Sequence, residues 1–446
     1  MARKKIIGCI DIGASFITLV TGYWDSDAAG SRRLAITACV PIAAQGIVRS
    51  RVFNVEEAAK CVAEAKMRAE NIIKKKITDV WVNISGHQFK SFTVTSELNI
   101  DNREITSADL QDMLNSARTV ELPQIRDDEP ERYLCYEIYP KYFSVDGEER
   151  ILNPAGIRGK HVCGEYLVIA APAMNGDNLR LCIEKAGLKI VNRILDPFAA
   201  AEVLLSAEEK EKGVILVDIG GGSTKLLVFS KGRPCHYDLF PYGGKHITAD
   251  IQEAAGIPES QAERLKTRYG KAMDVPEDSD NDVIIQIPDN TGWEPKGIDR
   301  RSLIKIINGR LTTIVEHVGN VVEKIARTEP VNTGIILTGR TAALQHIEQL
   351  FAENTGFETR VRKQPLINSA RPTLADAVNN STALGLLFKM LVENPEFVGP
   401  PKTPFIKVQM PTIFGTLANI YDNIQKAAVG EILGKGNEKD GNDELW

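Results

Sequence analysis

The strongest constraint on the fold is a motif that occurs twice. Ile10-Asp11-Ile12-Gly13-Ala14-Ser15 returns about two hundred residues later as Val217-Asp218-Ile219-Gly220-Gly221-Gly222-Ser223-Thr224. Each copy ends an apolar run with an aspartate and passes through a small-residue turn into a second apolar run. That pattern predicts a β-hairpin. Glycine has no Cβ, so the amides of such a turn can converge on an anion. Aspartates at the strand ends are oxygen donors of the kind Mg²⁺ takes, usually keeping several waters. One Asp-x-Gly is ordinary turn chemistry. Two on matching strands point to two similar domains that clamp a nucleotide phosphate between them. Neither copy is a P-loop, which needs G-x-x-x-x-G-K, nor a Rossmann turn, in which G-x-G-x-x-G opens a helix.

The intervening sequence supplies strands and helices in alternation. Ala58, Cys61, Val62, Ala65, Ala69, Ile72 and Ile73 recur at helical spacing and predict a helix over 55–75. DVWVNISG, FTVTSELNI, EYLVIAAP, LKIVNRILD and GIILTG read as strands. Further helices are expected over 105–118, 176–187, FAAAEVLLS, 244–270 with a break at Gly256-Ile257-Pro258, 300–327, TAALQHIEQLFAEN and 376–392. Residues 119–162 are mixed and mostly β-like, and 274–297 form a polar excursion. Five prolines between 394 and 411 predict an extended linker. A short helix over 412–430 and an acidic tail follow.

A length of 446 residues suggests about three domains. The repeat reduces this to two halves, each with a small insertion, and a tethered end. The net charge of −5 gives no general attraction to nucleic acid. Much of it sits in the last eleven residues, GNEKDGNDELW. Seven cysteines without a C-x-x-C pair read as buried reduced thiols, not as a disulfide framework or a zinc site. The basic start MARKKIIGCIDIG is broken by Asp11 and reads as a strand, not a signal peptide. The longest apolar stretch, Tyr166 to Met174, is far below the roughly 20 residues that span a bilayer. A cytoplasmic chain is expected, with attachment to a membrane surface left open.

Several local patterns occur in a set order. Val82-Asn83-Ile84-Ser85-Gly86-His87 precedes the Ile105-Thr106 helix, and LDPFAAAEVLL follows at 195–205. Gly243-Gly244-Lys245-His246-Ile247-Thr248 leads into an Asp250-Ile251 helix. Ala262-Glu263-Arg264-Leu265-Lys266 is followed by Tyr269-Gly270-Lys271-Ala272, and Ile336-Leu337-Thr338-Gly339 lies downstream. With the two hairpins these patterns cover residues 6–392, and the chain resembles the FtsA family within the actin/Hsp70 ATPase superfamily. The resemblance implies an α/β actin-like ATPase fold, two similar halves around a nucleotide cleft. The first half would comprise 1–85, 164–195 and 380–393, with an inserted FtsA-type subdomain at 86–163. The second would comprise 196–245 and 310–379, with a small subdomain at 246–309. The linker over 394–411, the helix over 412–430 and the tail over 431–446 would follow.

Residue by residue, the resemblance implies that ATP with Mg²⁺ binds between Asp11, Gly13, Ala14 and Ser15 on one side and Asp218, Gly220, Gly221, Gly222 and Ser223 on the other. Asp11 and Asp218 would hold the metal through water. Asp196 would orient an attacking water, with Asp218 as its catalytic companion; by itself Asp196 also suits a helix N-cap. Glu263 and Lys266 would face ribose and adenine, though they also read as an exposed pair one turn apart. Gly339 would let the backbone approach the adenine.

Three positions depart from the family pattern. Phe16 replaces a lysine after the first hairpin, Lys225 replaces an acid after the second, and Arg340 replaces the second glycine of a Gly-Gly pair. The first two read as a charge exchange across the cleft that would keep ATP binding and weaken metal placement and hydrolysis, leaving at most a weak ATPase. The alternative is that Lys225 points to solvent. Arg340 would cover the adenine face or lie on the surface.

The resemblance further implies actin-like self-polymerisation, recruitment of later division proteins, and capture of the FtsZ C-terminal peptide by the 246–309 subdomain. The basic cluster Lys296, Arg300, Arg301, Lys305 and Arg310 would receive that peptide, with Arg300 and Arg301 as the contact residues; otherwise it is a solvated helix face. Ile413, Phe414, Leu417, Ile420, Tyr421 and Ile424 form an apolar stripe that would lie on the inner face of the cell membrane at the division site, or dock on protein. The alternatives are an actin-like type IV pilus assembly component and a sugar kinase or phosphatase of the same fold.

Overall fold

A computed structural model describes residues 6–26, 32–86, 88–119, 133–172, 174–276, 283–287, 296–366 and 377–395. Contacts divide the chain into Met1–Gly399 and Pro400–Trp446. All of the second unit, with the terminal apolar stripe and the acidic tail, lies outside the described residues.

The first motif forms β1 (Ile7–Ile12) and β2 (Phe16–Ser26), joined by a tight turn, and β3 (Arg32–Ala43) pairs antiparallel to β2. A small hairpin, β4 (Ile47–Val48) and β5 (Arg51–Val52), leads to α1 (Val55–Ile73), whose N-cap Asn54 accepts from the amides of Glu56 and Glu57. β6 (Asp79–Ile84) then lies parallel to β1.

The chain next leaves for a separate sheet. β7 (Lys90–Glu104), α2 (Ser107–Thr119), β8 (Tyr133–Val145), β9 (Glu148–Ile151) and β10 (Arg158–Pro172) form it in the order β7-β10-β8-β9, over its own core around Ile100, Met113 and Tyr166. α3 (Met174–Lys185) and β11 (Lys189–Leu195) return to the first sheet, whose order is β11-β6-β1-β2-β3.

α4 (Asp196–Leu204) and the capped turn α5 (Ala207–Lys212) lead to the second motif, β12 (Val214–Ile219) and β13 (Thr224–Ser230), followed by β14 (Arg233–Phe240). α6 (Gly244–Ala255) and α7 (Glu259–Tyr269) are separated by Gly256, whose φ of 60° ends the first helix. β15 (Ile284–Ile287) and β16 (Lys296–Asp299) pair antiparallel and feed α8 (Arg300–Ala326), 27 residues long. β17 (Ile335–Thr338), α9 (Ile347–Thr355), β18 (Thr359–Val361) and α10 (Ala377–Glu393) complete the described chain.

The second sheet has the order β14-β13-β12-β17-β18. It matches the first strand for strand: a hairpin and a third antiparallel strand on one side of the motif strand, two parallel strands on the other. The repeat in the sequence is therefore a repeat of topology. α4 is buried along nearly its whole length because it meets both sheets and α10. A helix covered on all sides has no need of a polar face, which accounts for the DPFAAAEVL sequence. Gly385 of α10 lies so close to α4 that a Cβ there would stand 1.8 Å from the carbonyl oxygen of Ala199.

One predicted helix is two pieces. The stretch TAALQHIEQLFAEN, with Arg340 before it, forms a 3-10 turn at Arg340–Ala343, then a break, then α9. His346 adopts φ 64°, Gln345 bridges to Lys271, and the Ala272 amide donates to the Gln345 carbonyl at 2.8 Å. This strand-like pairing draws the backbone out of the helix. No helix among the described residues is long and apolar enough to cross a membrane.

Candidate functional site

The two motif turns close in the same way. The Gly13 amide donates to the Phe16 carbonyl at 2.9 Å, and the Gly220 amide donates to the Ser223 carbonyl at 3.0 Å. They also face each other. A Cβ on Gly221 would lie 2.3 Å from Ser15 Oγ, and one on Gly222 would lie 3.0 Å from the Ala14 Cβ. The Ser223 and Ser50 hydroxyls bond at 3.0 Å beside them. The carbonyls of Gly220 and Gly221 accept from the amides of Gly244 and Lys245 at the start of α6, at 2.9 and 2.8 Å. In a trans peptide the N–H opposes the C=O, so the amides of Gly221 and Gly222 are turned away from α6.

Below the turns lies a buried charged network. Lys225 stands directly across the β12–β13 ladder from Asp218. Every residue of β13 is buried, so the strand has no solvent side for Lys225 to reach, and the solvent reading of this residue fails. Its ammonium donates to Asp196 and lies 3.7 Å from the Asp218 carboxylate. Asn83 donates to Asp196 at 2.7 Å and to Asp11 at 2.9 Å, while its Oδ1 accepts the Ile12 amide at 2.6 Å. Asp196, Asp218 and Lys225 are 3%, 6% and 6% exposed. Asp196 opens α4, but the N-cap position belongs to Leu195 and carries no side-chain cap bond. Both oxygens of the Asp196 carboxylate serve the network instead.

The electrostatics follow from this burial. Burial disfavours the Lys225 charge, but Asp196 and Asp218, with Asp11 beyond them, more than offset it and hold the ammonium above the ordinary lysine range. Burial, reinforced by Asp196 and Asp218 and opposed by Lys225 and Arg340, pushes the Asp11 carboxyl up to about 8. Asp218 is also pushed up by burial, against the pull of Lys225.

Gly339 ends β17 with φ 87°, and a Cβ there would lie 2.4 Å from Asp218 Oδ1. The glycine is required by the approach of the backbone to Asp218. The next residue, Arg340, reaches over the Phe16 ring of β2, with its guanidinium carbon 3.8 Å from the ring centroid. Phe16 and Arg340, two of the three positions singled out in the sequence, thus touch each other.

Glu263 and Lys266 lie together on α7, at 2.6 Å between Oε2 and Nζ. The expectation of an exposed pair is corrected for Lys266. Its ammonium is buried and also donates to the Gly244 carbonyl at 2.9 Å and to Thr248 Oγ1 at 2.7 Å, which ties α7 to the start of α6. Glu263 keeps about half its side chain in solvent. The basic cluster divides. Arg310 makes a bidentate pair with Asp250 at 2.7 and 2.8 Å and lies over Tyr242, so it belongs to the α6–α8 contact. Arg300, over the Tyr269 ring, and Arg301, 4.0 Å from Asp274, occupy the first turn of α8 with exposed Lys305 one turn on. The side chain of Lys296 is outside the described ones. Ile413, Phe414, Leu417, Ile420, Tyr421 and Ile424 are likewise outside the described residues.

The member that sequence reasoning left without a role is Asn83. Its signal was a lone amide in the otherwise apolar run VWVNI of β6, a strand that is buried throughout. A buried side-chain amide needs partners, and here those partners are two of the acids.

Two five-stranded sheets of one topology, with a motif hairpin from each facing the other, define an actin-like ATPase fold. Solved structures bear this out. The PilM–PilN type IV pilus biogenesis complex aligns with a TM-score of 0.61 at 16% identity, covering 90% of this chain and 100% of that one. MreB5 of Spiroplasma citri bound to ADP aligns at 0.52 and 14%, covering 88% and 98%. Residues 215–385 match the family model of the cell division protein FtsA, and residues 86–170 match that of the SHS2 domain inserted in FtsA. The cell division protein FtsA of Escherichia coli is 28% identical over 393 residues, 86% of this chain and 90% of that protein. That of Borreliella burgdorferi is 28% identical over 389 residues, 87% and 91%. The chain belongs to the FtsA family of cell-division proteins.

Proposed function

We propose that this chain is a nucleotide-binding, actin-like adaptor of cell division. It assembles with copies of itself, ties FtsZ filaments to the inner face of the cell membrane and recruits later division proteins. The nucleotide is ATP, and it sits between the two motif turns, with Glu263 and Gly339 on the side of its base. The observation that carries this reading is the pair of closed glycine turns set against each other at Gly221 and Ser15, in a fold shared with a protein crystallised with ADP and with AMPPNP. ATP serves the assembly state more than turnover. The inserted subdomain over 86–163 meets neighbouring subunits, and the subdomain over 246–309 receives the FtsZ C-terminal peptide.

Arg300 and Arg301 support the peptide assignment. They stand at the N-terminus of α8, where the helix dipole carries the same sign as their side chains, and an acidic segment is favoured by both. The terminal apolar stripe would place the assembly on the membrane through the proline-rich linker. A sugar kinase needs a carboxylate available as base, and both oxygens of Asp196 are engaged by Asn83 and Lys225. Co-sedimentation of the full chain with FtsZ filaments, with and without ATP, tests the reading. Binding that grows with ATP supports it; absence of FtsZ from the pellet under both conditions overturns it.

A further inference from the structure

Proteins of this fold are expected to take Mg²⁺ with their nucleotide, held through water by acids such as Asp11 and Asp218. The residues present do not fit that ion. Among the described residues no group of three or more carboxylates, imidazoles or thiols is arranged to hold a metal. The acids of the cleft floor instead converge on a lysine. We propose that Lys225 is a built-in cation that takes the place of the divalent metal beneath the motif turns, so that this chain engages a nucleoside di- or triphosphate without Mg²⁺. Engagement of the nucleotide without Mg²⁺ rests on the nucleotide reading; replacement of the metal by Lys225 does not.

Position carries the argument. Lys225 is paired in register with Asp218, the acid expected to hold the metal, and is bonded to Asp196 at the start of α4. Asn83 brings Asp11 into the same set by sharing one amide between Asp11 and Asp196. An ammonium is a compact point charge with three donors and is well suited to a cluster of acceptors. Mg²⁺ demands near-octahedral oxygen ligation and keeps several waters. Lys225, Asp196 and Asp218 are each more than nine-tenths buried, so these two acids are closed to such a water shell. A divalent ion entering here would also meet the fixed charge of Lys225 in a low-dielectric setting, where like charges repel strongly.

Charge balance agrees. Asp196 and Asp218 flank the ammonium, and Asn83 ties Asp11 to Asp196. Arg340 adds a second cation on the Phe16 side. Phosphate would therefore meet Arg340 and turn amides at the rim, with Lys225 screening the acids beneath. A metal is not needed to relieve repulsion between those acids and the phosphate.

The test uses the full chain and two probes, Mn²⁺ alone and a fluorescent ATP analogue. Titration with Mn²⁺, followed by electron spin resonance of the free ion, is expected to show no stoichiometric site. The K225M variant, checked for folding by circular dichroism, is expected to gain one. The wild-type measurement stands by itself if K225M does not fold. Affinity for the ATP analogue is expected to change by less than about twofold between Mg²⁺ and EDTA, a difference well under one tenfold step. Stoichiometric Mn²⁺ binding by the wild type that D218N removes would overturn the inference. So would loss of about tenfold or more of analogue affinity in EDTA. If the analogue binds in neither condition, the nucleotide reading fails, and the Mn²⁺ titration still decides the role of Lys225.

Discussion

Arg340 lies over the ring of Phe16, 3.8 Å from its centroid, and so joins the end of β17 in the second sheet to the start of β2 in the first. The contact brings a cation to the first hairpin from the second sheet. A cation–π contact contributes roughly 0.5–1 kcal/mol at an exposed site and about 2 when desolvated. Arg340→Ala should therefore weaken affinity for ATP by several-fold, and Arg340→Lys by less. Fluorescence titration measures both; equal affinity in all three proteins would show that Arg340 serves structure only.

The Asp196–Lys225 pair makes a second prediction. Removing one partner of a buried ion pair leaves the other charge uncompensated and costs about 3–5 kcal/mol. Lys225→Met and Asp196→Asn should each lower the melting temperature markedly. The double variant should be more stable than the sum of the two losses predicts. Strict additivity in urea unfolding would mean that the pair does not act as a unit.

Asp11 gives a pH signature. Its carboxyl is pushed up to about 8 in the folded chain, against about 3.9 when unfolded. The folded state therefore holds a proton that the unfolded state has lost between those values. The associated stability is complete below about pH 4 and is lost as pH rises toward and through about 8, by at most about 1.4 kcal/mol per pH unit. Asp11→Asn should flatten this decline. Urea unfolding at intervals from pH 5 to 9 checks the slope, and parallel curves for the two proteins would refute it.

Gly385 allows no Cβ, since one would stand 1.8 Å from the Ala199 carbonyl oxygen. Gly385→Ala should force α10 from α4 and destabilise the chain by about 1–3 kcal/mol, even though alanine is the better helix former. A melting temperature unchanged or raised in calorimetry would show that α10 can shift freely.

Arg300→Glu with Arg301→Glu should weaken binding of the FtsZ C-terminal peptide about tenfold or more, with the loss shrinking at high salt. Glutamate suits the first turn of a helix, so α8 should remain intact by circular dichroism. Peptide affinity unchanged by the reversal would place the peptide elsewhere.

Much of this architecture was legible because the decisive signals are local. A glycine turn between two apolar runs needs no tertiary context, and its second appearance announced the matching sheets. β3 and β14, the third antiparallel strands, were not legible: Pro41 and Pro234 interrupt their patterns, as proline does in strands that are not central. The break before α9 was hidden too, because it comes from pairing between Gln345 and the distant Lys271–Ala272 segment. At the site, the acids stood out as strand-end residues. The partner of Lys225 depended on register across β12 and β13, and the role of Asn83 on a strand lying beside β1. Neither relation can be seen within a window of sequence.

The separate sheet formed by β7 to β10 leaves and rejoins the chain within the first half, yet it also bonds to the second. Ser91 donates to the Tyr237 carbonyl at 2.6 Å, Arg233 to the Leu152 carbonyl at 2.7 Å, and Tyr142 to Glu329, with Arg150 stacked over the Tyr142 ring. The cleft therefore cannot be widened at its charged floor alone: parting the two five-stranded sheets would also have to break these bonds, far along the chain from the motif turns.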